Sequence, residues 1–144
     1  MPDPARRIFL AGVTSLACAS WAAGSDVSDA DAHDIRAVIE AQLAAFRADD
    51  AELAFFYASP AIRAQFVVAD YFLAMVRGAY PVVHRPESVG FLLAQVIDGA
   101  VIQRVRMTDR NGAAWLAIYR MQRQSDRSWR IDGCVLTRDD GRAA

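Results

Sequence analysis

Few side chains in this sequence are suited to chemistry at neutral pH, and they are scattered. There are two histidines, His33 and His84. His84 stands beside Arg85, between Pro81 and Pro86. As a general base it needs an acid to orient it. Asp98 and Asp132 are the acids considered for that role, but the spacing does not pair either with His84. The competing reading makes His84 a polar residue at the rim of a sheet, because proline confines an extended segment to an edge. Asp132 follows Trp129-Arg130-Ile131. Strand alternation sets it on the outer face as a cross-strand partner of Arg120 or Arg104. A bulge at Gly133 would turn it inward, where it becomes a second candidate acid or base. Tyr57, Tyr80, Trp115 and Tyr119 are the aromatic candidates for lining a small apolar ligand. The same residues serve equally well to fill a core. No cluster of histidine, cysteine and acid has metal-ligand spacing, and no cofactor motif occurs. All sixteen basic residues are arginine, which excludes Schiff-base and Walker-type lysine chemistry.

The elements that must position these residues are legible in outline. From Ala100 to Leu136, apolar and polar residues alternate in three runs separated by two tight turns, the pattern of an antiparallel meander. Val101, Val105, Met107, Trp115, Ala117, Tyr119, Met121, Trp129 and Ile131 share the inner face. Arg104, Arg106, Arg120 and Arg130 crowd the outer one, as a solvated surface or a site for a polar partner. Upstream, Ser28 caps a helix carrying Ile35, Val38, Ile39, Leu43 and Phe46 at helical spacing. Asp49-Asp50 caps a short second helix, and Ser59-Pro60 starts a third. Asp70 begins a fourth, ending near Gly78. Tyr80 to Pro86 reads as an extended edge segment. Ser88 to Ile97 reads as a strand closed by the hairpin turn Asp98-Gly99. Helices first and strands after give an α+β fold, with short helices covering one face of the sheet.

Residues 1–24 have the parts of an export signal: Arg6-Arg7, an apolar run from Ile8 to Ala19, then small residues. Arg6-Arg7-Ile8-Phe9-Leu10 resembles the twin-arginine pattern of proteins exported already folded. The apolar run falls short of the roughly 20 residues of a stable membrane span. Ser15 at the lipobox leucine position ranks lipid attachment at Cys18 below a freely soluble periplasmic product. Residues 25–33 then form an acidic tail, 34–138 one domain and 139–144 a C-terminal tail. Removing Cys18 leaves Cys134 without an internal partner.

At 144 residues with 54% apolar composition, the chain can bury a core. A net charge of −1 gives no support for nucleic-acid binding. Charge is nonetheless segregated: residues 26–70 hold nine acids and three arginines, residues 98–138 eight arginines and four acids.

Several motifs together resemble a proteobacterial family catalogued as domain of unknown function 4864. They are Ile35-Arg36, Gln42-Leu43, Ala45-Phe46, Asp49-Asp50, Ala58-Ser59-Pro60, Tyr80-Pro81, Arg85-Pro86, Asp98-Gly99, Tyr119-Arg120-Met121, Trp129-Arg130-Ile131 and Gly133-Cys134. The resemblance spans about residues 34–138. It implies the cone-shaped organisation of nuclear transport factor 2 and its relatives, with helices packed into a curved antiparallel sheet. It carries no catalytic residues and no cofactor. The expected product is a periplasmic module, monomeric or homodimeric, that binds a small apolar molecule or a protein partner. The alternative is a small cofactorless enzyme of hydrolase or isomerase type working through His84, Asp132 or a tyrosine.

Overall fold

A computed structural model of the chain describes residues 6–10 and 25–141. Two N-terminal strands come first, β1 (Arg6–Leu10) and β2 (Ser25–Asp26). Helix α1 spans Asp29–Arg47, with Ser28 Oγ accepting from the Asp31 amide at 3.2 Å. That bond satisfies an amide which the helix cannot, and Asp29 and Asp31 complement the positive end of its dipole. Residues 29–33, His33 among them, are therefore the start of α1 rather than a tail. Ile35, Ile39, Leu43 and Phe46 line the buried stripe of α1. Gln42 lies among them because its side chain donates to the Ala54 carbonyl at 3.0 Å.

Asp49, at φ 53°, reverses the chain between helices. Aspartate tolerates this left-handed conformation better than most residues. Asp50 then caps α2 (Ala51–Phe56) and Ser59 caps α3 (Pro60–Phe66). Helix α4 (Ala69–Ala79) buries Phe72 against Phe46, Phe55 and Phe66, with ring centroids 5.5–5.7 Å apart. The interval from Tyr80 to Pro86, expected to be extended, instead contains a helical turn, α5 (Pro81–His84). Pro81 takes the first helical position, where a missing N–H costs nothing and φ is already set. The amides of Val83 and His84 both return to the Tyr80 carbonyl, at 3.0 and 3.1 Å.

The remaining strands are β3 (Ser88–Phe91), β4 (Gln95–Ile97), β5 (Ala100–Thr108), β6 (Ala114–Arg123) and β7 (Trp129–Arg138). Residues 88–97, expected as one strand, are thus two, both paired with β5. Buried Gln103 explains how the break is tolerated: its Nε2 donates to the Leu92 carbonyl at 2.7 Å. The described strands form one antiparallel sheet, ordered β1-β7-β6-β5-β4-β2 with β3 also on β5. The Asp98-Gly99 turn is as expected, with φ values of 50° and 77°. Register sets Val101, Val105, Met107, Ala117, Tyr119, Met121, Ile131, Cys134 and Leu136 on the helix-covered face. Helices α1 and α3 contact β7, and α5 contacts β5. The fold is α+β.

Between β6 and β7 the register shifts: Arg120 faces Gly133 and Met121 faces Ile131, so Asp132 is the extra residue of a bulge. It is buried, where simple alternation set it in solvent. Its Oδ1 accepts from Ser59 Oγ at 2.7 Å, and Arg120 Nε lies 3.3 Å from Oδ2. The carboxylate thereby ties the cap of α3 to the sheet. No helix among the described residues is long and apolar enough to cross a membrane.

Candidate functional site

A cleft of about 480 Å³ opens between the helices and the sheet. Arg77 and Ala79 of α4, then Pro81, Val82, His84 and Arg85 in and after α5, form one wall. Asp109, Arg110 and Asn111 of the β5–β6 turn, with Trp115 of β6 and Leu136 of β7, form the other. The helical turn at Pro81 is what brings His84 here, because it folds a segment that would otherwise run along an edge.

His84 is nearly enclosed, its side chain 12% exposed, and its Nε2 lies 2.7 Å from Asp49 Oδ1. A carboxylate only accepts hydrogen bonds, so the shared proton is on Nε2. Asp49 also accepts from Arg85 Nη2 at 2.9 Å. These partners hold its carboxyl below the ordinary value of 3.8, through the His84 hydrogen bond first and the Arg85 and Arg77 charges after it, against some desolvation. The acid that meets His84 is therefore Asp49 rather than Asp98 or Asp132. Asp49 was legible in the sequence only as a helix terminus.

The opposite wall is held just as firmly. Asp109 Oδ1 accepts from the amides of Asn111 and Ala113, at 2.9 and 3.0 Å. Its Oδ2 accepts from Trp115 Nε1 at 3.0 Å. The indole bond, ahead of the two amides and the Arg138 charge, keeps this carboxyl low as well. Arg138 lies over the Trp115 ring at 4.9 Å. The indole is thus fixed by its N–H and one face.

Of the residues singled out from sequence, the cleft gathers His84 and Trp115. The others are elsewhere. Tyr119 is fully buried in the core; its hydroxyl has no hydrogen-bond partner among the described residues, and burial raises its pKa well above the usual 10.0. Tyr80 is buried where α4 meets α5. Tyr57 caps α2, its ring 5.2 Å edge-on from Phe56 and its carbonyl accepting from the Ile131 amide at 2.8 Å. Asp132 borders a separate hollow with Arg120 and Trp129. Arg6 and Arg7 belong to β1, opposite Thr137 and Leu136. Sequence reasoning missed Arg77 and Arg110, and charge alone at exposed positions gives no signal of convergence. No group of three or more metal-ligating side chains occurs among the described residues.

The family catalogued as Domain of unknown function (DUF4864) matches residues 28–144, from the cap of α1 onward. The chain belongs to this family. Neither the curated proteins nor the solved structures yielded a match.

Proposed function

We propose that this DUF4864 domain is an exported module that holds one small molecule in the cleft between α4–α5 and the β5–β6 turn. The observation carrying this reading is the cleft itself. Its volume of about 480 Å³ lies in the range of small-molecule sites. Pro81 and Trp115 supply accessible apolar surface over buried Val82 and Leu136, and Arg77, His84, Arg85, Arg110 and Asn111 line the cleft with them. Export rests on Arg6-Arg7, the short apolar run and the small residues that follow.

A second reading is favoured by one contact, the Asp49–His84 bond at the cleft wall. With Nε2–H held by the carboxylate, Nδ1 is free to take a proton from a bound substrate, as a cofactorless hydrolase or isomerase requires. Arg85 shares the Asp49 carboxylate, so that acid does not serve His84 alone. Binding is therefore the primary reading.

Native mass spectrometry of protein recovered from the periplasmic fraction tests both readings. The expected result is a chain lacking residues 1–24 that carries one small-molecule mass, absent from Trp115→Ala. If no mass is retained and no compound in a mixed neutral and charged panel raises the melting temperature saturably, the binding reading fails. Turnover of a bound compound that His84→Ala abolishes, at unchanged melting temperature, would favour the enzyme.

A further inference from the structure

Resting on the cleft reading, we propose that the ligand is an amphipathic oxyanion: an apolar body carrying a carboxylate or phosphate head. Positive charge is left over in the cleft after internal pairing. Arg77, Arg85 and Arg110 line the cleft with Asp109, and Asp49 pairs with Arg85, so, His84 aside, arginine exceeds acid by 3 − 2 = 1. Asp109 keeps its charge, but its oxygens are engaged by Trp115 and by amides of its own turn rather than by an arginine. Arg85 is tied to Asp49, and Asp49 is in turn shared with His84. Arg77 and Arg110 make no ion pair among the described residues. They stand on opposite walls, one from a helix and one from a hairpin turn. A molecule entering between those walls meets guanidinium on both sides.

Guanidinium is the side chain best shaped to take two oxygens of one carboxylate or phosphate. Next to this cationic rim lie Pro81 and the Trp115 ring, both accessible, over buried Val82 and Leu136. A bare inorganic anion would leave that surface wet, and a neutral apolar molecule would leave the charges unmatched. One molecule with both properties satisfies the two halves together. Carboxylate and phosphate heads share this chemistry.

Isothermal titration of the full chain with octanoate, octyl phosphate and octan-1-ol separates the alternatives. The expected result is one site per chain for at least one anion. Raised salt weakens it, and Arg77→Gln/Arg110→Gln weakens it at least about tenfold, at unchanged melting temperature. Both positions are exposed, so the double variant keeps the fold. The tighter of the two anions identifies the head group. Octan-1-ol binds more weakly, and the double variant leaves its affinity unchanged. The oxyanion class is overturned if octan-1-ol binds as tightly as both anions, if the variant leaves anion affinity intact, or if neither anion binds. Saturable octan-1-ol binding in the last case would keep the cleft reading while removing the oxyanion.

Discussion

His84 and Asp49 are 35 residues apart and meet at 2.7 Å, a contact that gives the pair a defined pH signature. Asp49 has a folded pKa below 3.8, lowered chiefly by the His84 hydrogen bond. A carboxyl depressed on folding contributes stability above its unfolded value and loses it as pH falls through the folded one. The contribution is therefore intact above about pH 3.8 and disappears below it. Asp49→Asn is expected to flatten the acid limb of a melting-temperature profile below that pH, while Asp109 and Asp126, also depressed, keep their share in the variant. An unchanged acid limb would show that the carboxylate has no net linkage. Trp129 makes a different residue-scale point. It is 6% exposed at the start of β7, under the Arg123 guanidinium at 4.8 Å. Trp129→Ala is expected to cost about 3–5 kcal/mol in denaturant unfolding, the usual range for emptying a buried aromatic site. A loss under about 1 kcal/mol would match a surface position and contradict its burial.

At the scale of elements, β7 does the most. One side pairs with β6; on the other, Ile131 exchanges backbone bonds with Tyr57 and Ser59, both at 2.8 Å. Beyond Ile131, the outer edge from Gly133 to Thr137 is covered by β1. That stretch, Gly-Cys-Val-Leu-Thr, has no proline or charge to blunt an open edge. Export with removal of residues 1–24 would uncover it. In a chain beginning at Ser25, the β7 amides directed away from β6 are expected to lose hydrogen-exchange protection relative to the full chain, while those bonded to β6 keep theirs. Equal protection in both chains would show that β1 is not the cover.

For the molecule as a whole, the segregated charge proves to be largely internal bookkeeping. Arg104, Arg106, Arg120 and Arg130 share the outer sheet face by register. Arg106 reaches Asp139 and Arg120 reaches Asp132, both at 3.3 Å. Arg104 meets Gln95, and Arg130 lies over Phe56 at 4.4 Å. Acid from the helical half also crosses to the sheet, where Asp31 pairs with Arg123. The outer arginines are thus mostly engaged, and Arg77 and Arg110 at the cleft stand out by contrast. The proposed export belongs to this scale too, since a twin-arginine route carries folded chains. Arg6-Arg7→Lys-Lys is expected to retain the protein in the cytosol, as fractionation and blotting would show. Unchanged export would assign it to the general secretory route.

The sequence by itself determined the α+β class, the meander from Ala100 to Leu136, the caps Ser28, Asp50 and Ser59, the Asp98-Gly99 turn and the family. These are local matters: periodicity, capping chemistry and turn residues act over a few positions, and neighbouring residues carry the signal. Tertiary structure decided the rest. Whether Pro81 opens a helical turn or bounds a strand depended on what the segment packs against, because proline suits either. Asp132 is buried because a bulge offered it Ser59 and Arg120, partners from other elements. Tyr119 went to the core and Trp115 to the cleft although both lie on the same strand face, since burial depends on what covers each position. The cleft brings together arginines, a histidine and an indole from α4, α5, a hairpin turn and β6. No spacing along the chain encodes that convergence; it exists only once the helices have closed over the sheet.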